Sequence, residues 1–144
     1  MKTVRQILDH KGYKVHSVAP DATVYDALQT MANHEIGALV VLDGAEIAGI
    51  LSERDYARKV ILKGRSSRDT PVLEIMTHRV HCVEPDRSVE ACMSIMTEQR
   101  LRHLLVLEGD RLVGVVSIGD VVKAVIEDQL FTIEQLQTYI TSGR

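Results

Sequence analysis

The chain has 144 residues, 45% of them apolar and 26% charged, which is normal for one soluble globular domain or two very small ones. Its formal net charge of −3 gives no electrostatic reason to expect binding to nucleic acid or to an anionic membrane. With one Phe, four Tyr and no Trp, the core has to be aliphatic, and the stacking platforms of single-strand-binding proteins are not expected.

The start of the chain and its cysteines indicate the compartment. The segment MKTVRQILDH is amphipathic and lacks the apolar stretch of a signal peptide, and no apolar run is long enough to span a bilayer. The two cysteines, Cys82 and Cys92, do not make a disulfide framework. We therefore expect a soluble protein of the reducing cytoplasm.

A short helix and a short strand are predicted first. Thr3 and Gln6 have the spacing of a capping box, which predicts a helix over TVRQIL. An alternating strand, KVHSVA at 14–19, follows this helix. Thr23 then has the position of an N-cap for a helix whose apolar residues recur at helical spacing.

Two apolar strands joined by a tight turn come next. The first covers 38–42 and the second covers 47–51, with Gly44 in the turn, where a positive φ is favoured. The segment GILSERD, Gly49–Asp55, then ends the second of these strands and begins another helix. The order of elements is therefore β-α-β-β-α.

The same order occurs again 65 residues later. Val18–Asp55 aligns with Val83–Asp120 without a gap, and twelve of the 38 aligned pairs are identical, including the Gly, Ser and Asp of GILSERD, which return in GVVSIGD. The second copy begins with a strand at 79–84, and Pro71 has the first position of a short helix before it. Ser88 has the N-cap position that Thr23 has in the first copy. One such unit buries too little surface alone, so we expect both copies to pack about a pseudo-twofold axis as one α/β module.

The second copy continues as a helical tail that the first copy lacks. The tail carries an apolar stripe, which has to be buried on its own domain or on a second chain, and Thr132 with Gln135 has the spacing to start a fresh helix after a bend. We divide the chain into repeat 1 with its N-terminal helix at 1–64, a linker with a short helix at 65–77, repeat 2 at 78–126 and the tail at 127–144.

The repeated Ser-x-x-Asp motif has two interpretations, and the residues leave both open. Ser52 with Asp55, and Ser117 with Asp120, have the spacing of a helix cap in which the acidic residue also complements the helix dipole. The same residues at the carboxyl end of a strand also suit a ligand. The hydroxyl serves a phosphate or ribose, the carboxylate serves a vicinal diol, and the helix N-terminus favours an anion.

The double β-α-β-β-α unit with G-h-h-S-x-x-D after its third strand resembles a tandem cystathionine-β-synthase (CBS) domain pair, also called a Bateman module. The resemblance covers roughly residues 1–126, and its motif occurs twice, in order and at a fixed offset. The tail QLFTIEQLQTYITSG is similar to that of small stand-alone bacterial proteins of this type. The resemblance implies that AMP, ADP, ATP, NAD or S-adenosylmethionine binds in two clefts between the repeats.

The resemblance also assigns residues to the clefts. It implies that the two motif aspartates bind ribose, that the two motif serines lie near ribose and phosphate, that positions just before the second strand touch phosphate, and that the first strand and its approach line the adenine pocket. The expected ligand-binding residues are Ser52, Arg54, Asp55, Arg58, Ser117, Gly119, Asp120, Arg102, His103, Lys14, Val15, Ser17, Gly37, Ala38, Val80 and Cys82.

The two expected clefts differ in their basic residues. Copy one has Gly37 and Ala38 where copy two has Arg102 and His103, so phosphate binding in copy one depends on Arg54 and Arg58 instead. The residue that corresponds to Arg54 in copy two is a glycine. We therefore expect the two clefts to bind ligand unequally.

Metal and catalytic sites are not expected. The segment HRVHC at 78–82 lacks the spacing of a zinc site, because its last two residues point to opposite faces of a strand. Ser117, His103 and Asp120 contain the residue types of a hydrolytic triad, but no nucleophile elbow accompanies them.

The sequence therefore predicts a regulatory module rather than an enzyme. It is expected to bind an adenosine-containing ligand, to pair as a homodimer and to signal to an effector protein that the sequence does not name, with no role for nucleic acid or membrane. The rival hypothesis is a protein-interaction module that binds no ligand, in which the Ser-x-x-Asp motifs are only helix caps.

Overall fold

Within residues 2–142, which the computed structural model describes, five α-helices and six strands form two three-stranded sheets. The helices are α1 (Val4–Lys11), α2 (Val24–His34), α3 (Glu53–Lys59), α4 (Val89–Gln99) and α5 (Ile118–Ser142). The strands are β1 (Ser17–Val18), β2 (Ala38–Asp43), β3 (Glu46–Ser52), β4 (Cys82–Val83), β5 (His103–Glu108) and β6 (Arg111–Ser117). Two 3₁₀ turns lie at Ile61–Lys63 and Val72–Glu74.

The two sheets have the same topology and register, which confirms the duplication as a structural repeat. In each sheet a two-residue strand pairs in parallel with the middle strand, and the middle strand pairs antiparallel with the third. The turns between the last two strands hold Gly44 at φ 62° and Gly109 at φ 63°, the backbone region that favours glycine. In both sheets the residue that begins the middle strand lies opposite the serine that ends the third strand.

Helix caps form where the sequence predicts them. The Thr3 hydroxyl accepts the Gln6 N–H while the Gln6 side chain accepts the Thr3 N–H at 2.9 Å, which completes the capping box of α1. Thr23 caps α2 and Ser88 caps α4, each through its side-chain oxygen. Each of these helices therefore begins at a residue that the sequence identifies.

The chain divides into two compact units, and the boundary does not follow the repeats. The first unit is Val15–Val80, and the second combines the residues up to Lys14 with those from His81 onward. Helix α1, which the sequence division groups with repeat 1, packs in the second unit, where the Val4 N–H donates to the Arg87 carbonyl at 3.0 Å. The segment after Pro71 plays the same part in the first unit, since the Val72 N–H donates to the Ala22 carbonyl at 2.8 Å.

Each unit has its own aliphatic core. The core of the first unit packs α2, the inner residues of β2 and β3 and the segment 72–76, and that of the second packs α1, α4, β5, β6 and the first turns of α5. The helix positions predicted to be apolar supply these cores, with Val24, Ala27 and Met31 buried in α2 and Val89, Cys92 and Met96 buried in α4.

Three local predictions need correction. The first strand of each copy is shorter than 14–19 and 79–84, because only two residues of each segment pair with the middle strand. The short helix predicted at Pro71 is a 3₁₀ helix, Val72–Glu74, and Pro71 is its N-cap and not its first helical residue. The tail does not restart at Thr132, because α5 is continuous and the Thr132 hydroxyl donates to the Asp128 carbonyl one turn earlier.

None of the helices within residues 2–142 is both long enough and apolar enough to cross a lipid bilayer.

Candidate functional site

Both Ser-x-x-Asp motifs cap the helices that follow them. The Ser52 hydroxyl accepts the Asp55 N–H at 3.2 Å, and the Asp55 carboxylate accepts the Ser52 N–H at 3.0 Å. In the second copy, the Ser117 hydroxyl accepts the Asp120 N–H at 3.2 Å and the Asp120 carboxylate accepts the Ser117 N–H at 2.8 Å. The cap interpretation is therefore correct for both copies, and a ligand function depends on what each carboxylate has left to offer.

The Asp55 carboxylate is fully engaged by its own chain. Its Oδ2 accepts both the N–H and the hydroxyl of Ser52, each at 3.0 Å. Its Oδ1 accepts the Thr77 hydroxyl at 3.0 Å and lies 3.1 Å from the Lys59 ammonium. The residue is 7% exposed, so both oxygens are enclosed as well as bonded.

The Asp120 carboxylate keeps one oxygen unbonded. Its Oδ2 accepts the Lys11 ammonium at 2.7 Å and the Ser117 N–H at 2.8 Å, whereas its Oδ1 has no partner among residues 2–142. The side chain of Asp120 is 24% exposed, against 9% for Asp55. The N–H of Gly119 also has no partner within the described part of the chain. The second copy therefore offers an acceptor and a donor that the chain itself does not use.

Charges around Asp120 act on its protonation. Burial works to raise the pKa of Asp120, but the hydrogen bonds from Lys11 and from the Ser117 backbone outweigh it, and the pKa lies below that of an ordinary aspartic acid. Lys11 is fixed at the same time by the Val115 carbonyl, which accepts its ammonium at 3.0 Å. Asp120 is consequently a carboxylate at neutral pH.

His103 lies beside this carboxylate at the start of β5, opposite Ser117 in the sheet. Burial is the main cause that lowers the pKa of His103; the nearby Asp120 raises it, and Lys11 and Arg102 lower it. The imidazole is therefore neutral at pH 7 and has a ring nitrogen available as a hydrogen-bond acceptor and another as a donor.

We expect His103 to make the protein less stable in mild acid. The pKa of His103 is lower in the folded chain than in the unfolded chain, so the unfolded chain binds more protons once the pH falls below the ordinary imidazole pKa of 6.5. The free energy of unfolding therefore decreases as the pH falls below that value. Urea unfolding at pH 7.5 and pH 5.5 should show a smaller loss in His103→Gln than in the wild type. Equal losses would contradict the assignment. Asp120 does not affect this comparison, because its contribution to the free energy of unfolding is lost only when the pH falls below 3.8, the ordinary pKa of an aspartic acid.

The residues before the middle strands bond to the helices that follow the motifs. The Gly37 carbonyl accepts the Glu53 N–H at 3.0 Å, and the Arg102 carbonyl accepts the Ile118 N–H at 2.8 Å. Their side-chain positions differ, because Arg102 is exposed where copy one has a half-buried glycine. The structure thus places these predicted residues at the same end of the sheet as the motif in each unit.

The other predicted residues divide between the two units. Arg54 and Arg58 are exposed on α3, and Ala38 is half-buried opposite Ser52. Ser17 and Cys82 are exposed on β1 and β4. Lys14 and Cys82 belong to the second unit, with Ser117, Gly119, Asp120, Arg102 and His103, and Val15, Ser17 and Val80 belong to the first.

Three side chains that contact the motif aspartates are absent from the sequence prediction. Thr77 and Lys59 engage Asp55, and Lys11 engages Asp120 from a helix 109 residues earlier in the chain. Lys59 is four residues after Asp55 on the same helix, a spacing that the sequence does display. No sequence signal links Lys11 with Asp120, because the contact depends on α1 packing in the second unit.

A cavity of about 250 Å³ in the second unit is separate from this site. Its lining includes Glu108 and Arg111, which pair next to the turn between β5 and β6, whereas His103 and Ser117 pair at the other end of the same strands. Arg5, another lining residue, is already paired with Glu108 and Asp86. We therefore assign the cavity no part in the Asp120 site.

A sequence model of the CBS domain matches residues 4–62 and 72–127. The chain belongs to the CBS domain family. It is 40% identical to the mitochondrial CBS domain-containing protein CBSX3 of Arabidopsis thaliana, over 98% of this chain and 73% of that protein. It is also similar to the solved structure of a protein with CBS domains from Burkholderia ambifaria MC40-6, with 55% sequence identity and a TM-score of 0.86. The match covers 89% of this chain and 96% of that protein's chain.

A more distant CBS structure has bound ligands. This is the CBS domain pair of protein MJ0100 in complex with 5′-methylthioadenosine and S-adenosyl-L-methionine. The match covers 89% of this chain and 98% of that chain, with a TM-score of 0.77. Its sequence identity of 21% shows a shared fold alone. The expectation of a tandem CBS pair is thus confirmed by the family match, by the repeated fold and by the solved structures.

Proposed function

We propose that this CBS pair is a regulatory module whose ligand contains adenosine, and that the ligand binds first in the cleft at Asp120. The observation that carries the proposal is the unbonded Oδ1 of Asp120, in the same first turn of α5 as the unbonded N–H of Gly119. A carboxylate oxygen accepts hydrogen bonds from the vicinal hydroxyls of ribose, and a helix N-terminal N–H donates to a phosphate.

The neighbouring groups suit the rest of such a ligand. Neutral His103 offers a hydrogen bond without adding charge, and Lys11 and Arg102 supply positive charge for a phosphate. Cys82, the first residue of β4, is proposed to line the adenine pocket. AMP, ADP, ATP and NAD share the adenosine that this arrangement would recognise, and the adenosine ligands named for MJ0100 support the same chemistry.

We propose that the Asp55 cleft binds the same ligands more weakly. A ribose hydroxyl would have to displace the Thr77 hydroxyl or the Lys59 ammonium from Oδ1, and both are already at hydrogen-bonding distance. Arg54 and Arg58 remain candidates for phosphate contacts there. The difference in ligand affinity between the two clefts thus depends more on the Asp55 carboxylate, whose oxygens are already bonded, than on the basic residues that copy one lacks before its middle strand.

The module is proposed to act in the cytoplasm as a homodimer, and to signal when the ligand favours one conformation that a separate effector protein recognises. The CBS-domain relative from Burkholderia ambifaria is a suggested signal-transduction protein, which supports a regulatory rather than an enzymatic role. Both cysteines are free thiols, which suits a reducing compartment.

A ligand screen tests the proposal. Isothermal titration of the wild type with AMP, ATP, NAD and S-adenosylmethionine should give saturable binding for at least one of them. If AMP binds, 2′-deoxy-AMP should bind about tenfold more weakly, because it lacks one of the two ribose hydroxyls that would donate hydrogen bonds to Oδ1 of Asp120. Absence of binding by all four compounds, or equal affinity for the deoxy analogue, would contradict a ribose site at Asp120.

The second candidate is an interaction module without a ligand. The complete engagement of Asp55 favours it for the first copy, because that carboxylate serves its helix and two neighbouring side chains with no oxygen left over. The same titrations separate the candidates, since a pure interaction module binds none of the four compounds.

A further inference from the structure

The last fourteen described residues of α5 are not packed against the rest of the described chain. Every residue from Gln129 to Ser142 is exposed, although α5 is buried earlier at Val121 and Ala124, where it packs on its own unit. An isolated helix of this length is marginal in water, so most helices of this kind are held by packing on another surface. The structure therefore contains a helix whose second half lacks its packing partner.

The exposed half continues an apolar stripe that begins near the start of the helix. Its members follow at intervals of three or four residues, the spacing of one helix face, and each is 40% to 60% exposed. The α5 stripe consists of Val122, Ile126, Leu130, Ile133, Leu136 and Ile140. It spans about 27 Å of helix, long enough for an extended helix-to-helix contact.

We propose that the α5 stripe is the surface through which two copies of this chain pair, the stripe of one copy against the same stripe of the other. This inference rests on the homodimer of the proposed function and names its contact. A two-fold pair of this kind uses one patch on both subunits, so a single self-complementary stripe is sufficient.

The area and charge of α5 favour a second copy as the occupant. The six residues of the stripe expose on the order of 500 Å² of side chain, more than half of the roughly 800 Å² that each partner contributes to a stable interface. Glu134 is the one charged residue from Gln129 to Ser142, so pairing two copies desolvates little charge. A strongly acidic partner would find no complementary charge on this half of the helix, and a strongly basic partner would find only Glu134.

The test compares two double variants that add the same charge at the same spacing. Ile126→Glu with Ile133→Glu alters the stripe, and Phe131→Glu with Thr138→Glu alters the opposite side of the same helix. Light scattering after size exclusion should give the wild type and the control variant twice the chain mass of 16.1 kDa, and the stripe variant the single chain mass. Circular dichroism confirms that both variants are folded.

Three results would overturn the inference. They are a monomeric wild type, a stripe variant that keeps the wild-type mass, and a control variant that dissociates to the same extent as the stripe variant. Titration of AMP into the same samples keeps this inference distinct from the ligand proposal, because a failure to bind nucleotide leaves the measured masses unaffected. A stripe variant that is monomeric supports the inference whether or not it binds nucleotide.

Discussion

Asp120→Asn is expected to weaken binding of AMP by about tenfold to a hundredfold, the loss that follows from removing one charge-assisted hydrogen-bond partner. The unbonded Oδ1 of Asp120 is the oxygen proposed to accept the ribose hydroxyls, and an amide carries no negative charge to strengthen those bonds. The measurement is isothermal titration, with urea unfolding of the same variant to confirm that the loss of the Lys11 ion pair leaves the fold intact.

The matched control is Asp55→Asn, and we expect it to affect stability instead of affinity. The buried Asp55 carboxylate accepts donors on both oxygens, so an amide –NH₂ would face a donor and cost about 2 kcal/mol of unfolding free energy. AMP affinity at the Asp120 cleft should stay within twofold of the wild type. The reverse pattern, with binding lost in Asp55→Asn and kept in Asp120→Asn, would show that the clefts are assigned in the wrong order.

Gly49→Ala is expected to lower the free energy of unfolding by about 3 kcal/mol, a large effect for the addition of one methyl group. A Cβ at Gly49 would lie 2.5 Å from the Thr77 carbonyl oxygen, which is a backbone atom. That backbone is fixed, because Ile50 and Thr77 exchange two hydrogen bonds of 2.9 and 2.8 Å. The chain cannot relieve the overlap without breaking this bridge, and the same segment brings Thr77 to Asp55.

Two other glycines provide the comparison for urea unfolding. A Cβ at Gly114 would lie 2.7 Å from Leu8 Cδ2, but Leu8 is a side chain that can change rotamer, so Gly114→Ala should cost only about 1 kcal/mol. A Cβ at Gly119 would meet only the Ser117 hydroxyl at 3.6 Å, so Gly119→Ala should be neutral or stabilising by about 0.5 kcal/mol. A loss in Gly49→Ala no larger than that in Gly114→Ala would contradict the rigid-backbone argument.

Local sequence signals predicted the elements of the fold well. The caps at Thr3, Thr23 and Ser88, and the glycine turns, depend on neighbours within a few residues, and the structure has each of them. The predicted lengths of β1 and β4 are too long, because the alternation of apolar and polar residues continues in the sequence beyond the two residues that pair with the middle strand. The continuous α5 was missed because a capping pattern inside a helix looks the same in sequence as one at its start.

The site was predictable only in part. The position of Ser52, Asp55, Ser117 and Asp120 at the junction of strand and helix follows from the repeated motif, and the structure places all four there. The difference in how the two aspartates are bonded was not predictable, because it depends on side chains that arrive from packed segments elsewhere. Lys11 is the clearest case, since it reaches Asp120 across 109 residues of sequence.

The placement of α1 has a consequence for how such a duplicated chain can arise. Each repeat is completed by the segment that leads into the other, so that Leu8 covers Gly114 and Met76 covers Gly49. A single-repeat ancestor would have lacked the cover for its own sheet, and would have obtained it by exchanging leading segments with a second molecule. Joining two such genes end to end would then preserve in one polypeptide an exchange that first took place between separate chains.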